Sequence, residues 1–209
     1  MMRIAVTAAF AALASTPTFA QQSDPGRFPQ LAPETMTDAQ KEAATGLPML
    51  SGPFNVALRS PELTKQIQAM SQYLRARTTL PPRLAELAIL ITARHWSAQY
   101  EWWGHYPMAM KAGVSPATAA DIAAGKRPTQ MQPDEEAVYD FLTALQDRHA
   151  VDDAVFTRAK AALGERQLVD LIGLVGLYDT VSMMLDVGKV GVPPGATPLP
   201  PLAETAPLR

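Results

Sequence analysis

The chain of 209 residues contains no cysteine. No thiolate is therefore available for nucleophilic or redox chemistry, and no disulfide can support the fold. Histidine is almost as scarce, with three in the chain, and none of them lies in an HExxH arrangement. GxSxG, P-loop and GxGxxG patterns are missing too, which removes the usual sequence grounds for a zinc protease, a serine hydrolase or a nucleotide-binding enzyme. No run alternates apolar and polar residues between hairpin turns, so no strand is predicted. Basic and acidic residues number 18 and 20, a formal charge of −2. So even a balance offers no electrostatic case for nucleic acid or anionic lipid as partner.

What is present begins with an address. Arg3 precedes a run of apolar and small residues from Ile4 to Ala14, and Thr18-Phe19-Ala20 has the small-x-small form that a signal peptidase cuts. The run is too short to span a bilayer as a helix, which takes about 20 residues. Residues 1–20 are thus expected to be a signal peptide cleaved after Ala20, with export to the periplasm and no membrane attachment afterwards. No later uninterrupted apolar run is long enough to span a membrane. The 189 residues that follow Ala20 suffice for one domain with its own core.

Residues 21–36 are polar and proline-containing and are expected to form a flexible leader. Helical signals fill residues 37–187. Thr37 and Gln40 form a capping pair, and Ser60-Pro61 and Ser115-Pro116 place proline at first helical positions. From Leu84 to Trp96 nearly every position is apolar, the profile of a helix buried on all sides. Residues 98–112 form the next helix, stopped by Gly113, and the longest apolar helix is expected over Gln167 to Val187. Residues 188–209 hold a series of prolines and are expected to be extended, free or draped across a neighbour. The fold class predicted is all-α: a single-domain helical bundle.

Few residues can carry chemistry. His149 follows Asp147 and Arg148 at a polar helix end and is expected to be solvated. His95 ends the buried helix as a cap or a supporting group. His105 stands four residues after Glu101, so the two side chains share one helix face. A carboxylate and an imidazole on an otherwise apolar stripe must satisfy each other, be hydrated in a pocket, or bind something. Glu86 is the sole charge between Leu84 and Ala93. An unpaired carboxylate in such a helix is costly, because burial disfavours its charged form. A buried carboxyl group facing a Glu–His pair suits proton transfer. Tyr100, Trp102 and Trp103 are expected to wall a substrate pocket.

The sequence resembles the carboxymuconolactone decarboxylase and alkylhydroperoxidase D-like family, as a cysteine-free variant. The resemblance is carried by Gly52-Pro53-Phe54-Asn55, Ser60-Pro61-Glu62-Leu63, Tyr73-Leu74-Arg75, Leu80-Pro81-Pro82-Arg83-Leu84-Ala85-Glu86, Tyr100-Glu101-Trp102 with His105, Ala112-Gly113 and Leu174-Val175-Gly176-Leu177-Tyr178. It covers about residues 37–187. It implies a helical bundle assembling into trimers or a hexameric ring. The family's peroxidase branch carries a Glu, a CxxC and a His four residues on. Glu86 and His105 match the Glu and the His, while the cysteine positions fall on Ala98 and Glu101.

The expectation is therefore an acid–base enzyme of decarboxylase, lactone isomerase or hydrolase type. It would act on a small organic acid or lactone without cofactor or metal, with Glu86, Glu101 and His105 catalytic, and it would lack thiol peroxidase activity. A non-catalytic ligand-binding or assembly protein on the same scaffold is the alternative. Metal binding by Glu101 and His105, completed by a neighbouring subunit, is a further one.

Overall fold

The computed structural model describes residues 26–202; the expected signal peptide and its cleavage site lie outside them. Among the described residues every regular element is helical. Eight α-helices follow a single 3-10 turn at Pro33–Thr35: α1 Asp38–Ala44, α2 Pro53–Ala57, α3 Pro61–Ala76, α4 Pro82–His95, α5 Gln99–Ala112, α6 Pro116–Ala123, α7 Pro133–Arg148 and α8 Asp153–Gly188.

Proline, abundant in this chain, starts helices more often than it breaks them. Five of the eight α-helices carry it in their first turn, where its fixed φ suits the helix and its missing N–H would have no partner. The exception is Pro107 inside α5, which cannot donate to the Trp103 carbonyl one turn back. Long α8 breaks at Gly164, whose φ of 72° and ψ of 169° are not helical. The separate apolar helix expected from about Gln167 is the part beyond this break.

Helix α4 is the centre. Leu84, Leu87, Ala88, Ile89, Leu90 and Ala93 are almost wholly buried, and α5, α6, α7 and α8 all pack around it. The all-round apolar profile is thus met by neighbours on every side. Helix α5 folds back along α4 through Ser97, which takes a left-handed φ of 52°. This hairpin sets residues early in α4 against the middle of α5, and so sets Glu86 against His105. The apolar part of α8 is long and apolar enough to cross a membrane by length and composition, which the sequence reading did not anticipate; half of its most apolar stretch is buried within the protein.

Two further expectations need correction. Residues 26–36 of the expected flexible leader are tied to the body: the Arg27 N–H donates to the Gly188 carbonyl at 2.8 Å. Asn55 binds the same arm through its whole amide, donating to the Phe28 carbonyl at 3.0 Å and accepting from the Leu31 N–H at 2.9 Å. The described part of the proline-rich tail is not free but lies across its own domain. Leu199 inserts into the core, its N–H donates to the Gln99 side chain at 2.7 Å, and Arg94 donates to the Pro200 carbonyl at 2.7 Å. In both segments side-chain amides and a guanidinium take up the backbone groups of extended chain, which has no helical bonds of its own.

Candidate active site

Four helices each bring one part of a buried polar cluster. His105 on α5 lies between two carboxylates: Nδ1 is 2.7 Å from Glu86 Oε2, and Nε2 is 3.0 Å from Glu101 Oε1. Arg75 on α3 reaches Glu86 Oε1 at 3.6 Å and donates to the Tyr178 hydroxyl on α8 at 2.9 Å. The Tyr178 ring meets the imidazole edge to face at 4.9 Å. Glu86, Glu101 and His105 are each less than a tenth exposed. The three residues singled out from the sequence therefore form one continuous charge cluster, in which Nδ1 is hydrogen-bonded to Glu86 and Nε2 is in ion-pair contact with Glu101. Glu86, however, is not unpaired; it has both an imidazole and a guanidinium as partners.

The geometry favours a charged histidine. A carboxylate oxygen lies within 3.0 Å of each ring nitrogen, and a neutral imidazole would turn its lone pair toward one of them. Burial pushes the His105 pKa down, but the hydrogen bonds and charges of Glu101 and Glu86 outweigh it and hold the value above the ordinary 6.5. Two carboxylates then face one imidazolium and one guanidinium, and the charges balance. Burial raises the Tyr178 phenol well above its ordinary range, with Arg75 working against it, so the hydroxyl stays protonated.

This cluster borders a cavity of about 630 Å³, within the usual size of small-molecule sites. Glu101 and His105 are on its wall, with Gly104 and Met108 of the same face of α5. Glu86 is not; it supports His105 from behind. Tyr100 and Trp103 line the cavity, with Trp103 at 38% exposure. Trp102 does not. It is 8% exposed and belongs to the hydrophobic core. One residue further along a helix turns the side chain by about 100°, which takes Trp102 off the Glu101 face of α5 and into the core.

Arg75 and Tyr178 were missed as site residues. Both entered the sequence analysis only within the motifs that carry the family resemblance. The available signal was Glu86 itself, since a carboxylate in an apolar helix calls for a cation. Among the described residues no group of three or more His, Asp or Glu side chains is placed to hold a metal ion. Glu86 and Glu101 lie on opposite nitrogens of the ring.

The loop before α2 lines the cavity through Gly46, Leu47, Pro48 and Met49. Gly52 has φ +64°, and a Cβ there would fall 2.5 Å from the Tyr100 ring and hydroxyl. Gly52→Ala is therefore expected to cost more than about 1 kcal/mol, the usual loss when alanine enters a positive-φ position. Gly46→Ala, also at positive φ but with nothing within 4 Å of its Cβ, should cost less. Thermal melts of both variants check this, and equal losses would show that Tyr100 does not press on Gly52.

Comparison with known proteins agrees with the resemblance read from the sequence. Residues 61–144 match the carboxymuconolactone decarboxylase family. The fold is similar to the alkylhydroperoxidase AhpD core of an uncharacterized peroxidase-related protein from Ralstonia eutropha JMP134, with TM-score 0.67 and 15% identity over 82% of this chain and 94% of that one. An uncharacterized peroxidase-related protein from Silicibacter sp. TM1040 is similar with TM-score 0.67 and 12% identity over 85% and 97% of the two chains. A variant of the debrominase Bmp8 in complex with 2,3,4-tribromopyrrole is similar with TM-score 0.56 and 13% identity over 75% and 82%. No curated protein matches the sequence.

Proposed function

For a chain that matches the carboxymuconolactone decarboxylase family over residues 61–144 and has the AhpD-like fold, we propose an acid–base enzyme that needs no cofactor and acts on an organic acid, lactone or enolisable carbonyl compound. The observation that carries this reading is the Glu86–His105–Glu101 unit at the wall of the cavity. Both nitrogens of His105 are engaged, so the imidazole is not the group that meets a substrate. Glu101 is. Its Oε1 rests on the imidazolium and its carboxylate faces the cavity, which suits it to take a proton from a carbon next to a carbonyl. The electron pair left by that C–H bond moves onto the carbonyl oxygen, where Arg75 offsets the new negative charge. Return of the proton from Glu101 to a different carbon completes an isomerisation. In a decarboxylation the carbon–carboxylate bond breaks instead, CO₂ leaves, and the enolate left behind takes a proton that Glu101 relays from water. Glu86 holds His105 in place, and the His105 imidazolium positions Glu101 and offsets the charge of its carboxylate.

The experiment is a metabolite soak of the wild type and Glu101→Gln, with mass spectrometry of what is consumed. Compounds that disappear with the wild type and persist with the variant are the expected result. Equal consumption would overturn the assignment. The fold's occurrence in a debrominase complexed with a small ring compound supports a ligand role for the cavity. Thiol-dependent peroxidase assays should stay at buffer level, because no thiolate exists to attack the peroxide. Turnover with any dithiol donor would contradict this.

Export and self-association belong to the same reading. Mass spectrometry of periplasmic protein should find Gln21 at the N-terminus. Val169, Ile172, Met183 and Val187 on α8 are 42–65% exposed, an apolar face that supports a trimeric or hexameric assembly. Light scattering at micromolar concentration should give three or six times the chain mass. A monomer would refute the assembly.

A further inference from the structure

The lining of the cavity carries charge only at Arg75, Glu101 and His105, with Ser71 and Gln72 beside Arg75 on α3. The apolar part of the lining includes Leu47, Phe54, Leu177, Val181 and Met184. Arg75 is the single cation in the lining that can turn to a ligand. Its ion pair with Glu86 is loose at 3.6 Å and its side chain is 37% exposed, whereas His105 is closed in by two carboxylates. One anionic or enolate head group can therefore be matched there, with the Ser71 hydroxyl and Gln72 amide beside it. A second anionic group has no counterpart. It would have to lie near Glu101, which repels it, or against the apolar wall, which cannot solvate it.

We infer that the substrate is amphipathic, with a single acidic head group held at Arg75 and an apolar ring or chain laid against Phe54, Val181 and Met184, and that di- and tricarboxylates are excluded. This rests on the cavity being the active site and narrows the proposed organic acid or lactone to one class. Gly104 serves the same end. No atom lies within 4 Å of where its Cβ would be, so α5 leaves open space in the cavity beside Glu101 and His105.

The test compares decanoate with decanedioate, the same chain ending in one carboxylate or in two, titrated calorimetrically into the protein. A carboxylate also imitates an enolate, as two oxygens sharing one charge. Decanoate should bind at least about tenfold more tightly than decanedioate. Arg75→Gln should weaken decanoate binding by about tenfold or more, the scale of a charge-assisted pair. Met184→Glu, which puts a charge on the apolar wall, should weaken it too. The inference is overturned if decanedioate binds as tightly as decanoate, if neither acid binds, or if decanoate is indifferent to both substitutions. Failure of the catalytic reading is distinguishable. It would show as substrate consumption unaffected by Glu101→Gln, and would leave these affinities unchanged.

Discussion

Glu101→Gln should lower turnover by ~10²–10⁴-fold, the usual contribution of a positioned general acid or base, while the melting temperature moves by only a few degrees. The amide keeps the shape of the carboxylate, and its oxygen can still accept the His105 Nε2–H. What it cannot do is take a proton from a substrate carbon. Substrate affinity should change little, because Arg75 and the apolar wall are untouched. A large fall in stability with turnover preserved would mean that Glu101 is a structural partner of His105 and nothing more.

His105→Leu should have the largest effect on stability. It removes the cation between Glu86 and Glu101, both less than a tenth exposed, and leaves the two carboxylates with Arg75 alone. Breaking a buried ion pair by deleting one partner costs ~3–5 kcal/mol, readable as a shift in the urea midpoint. The same residue should make wild-type stability depend on pH. Folded His105 holds its proton above the ordinary 6.5, whereas the unfolded chain releases it near that value. The stabilisation from this group is complete below about pH 6.5 and is lost as pH rises through the raised folded value. His105→Leu should lack this decline. A wild type whose stability rises over that interval would contradict the proton inventory of the cluster.

How much of this was legible in the sequence depended on whether the signal was local. The proline-led helix starts, the buried character of α4 and the shared face of Glu101 and His105 are properties of near neighbours, so they could be read directly. The pairing of Glu86 with His105 came from the family resemblance, since nothing in the residues alone says how α5 folds back on α4. Arg75 and Tyr178 are 103 residues apart in sequence and join the cluster only through packing. Trp102 was misplaced because one apolar stripe was drawn too wide: next to Glu101, a single residue separates the cavity wall from the core. The arm at 26–36 and the tail lack helical periodicity. Their attachment rests on Asn55, Gln99 and Arg94, ordinary polar residues whose partners are backbone groups far along the chain.

The most direct test of the central claim, an imidazolium clamped between two carboxylates at the cavity wall, is nitrogen NMR of the His105 ring as a function of pH. With three histidines in the chain, single substitutions assign each signal. Both His105 ring nitrogens should carry protons at pH 7, above the ordinary 6.5 of the free imidazole, and Glu101→Gln should move the titration to lower pH. A His105 ring that is neutral at pH 7, with one nitrogen unprotonated, would contradict the account.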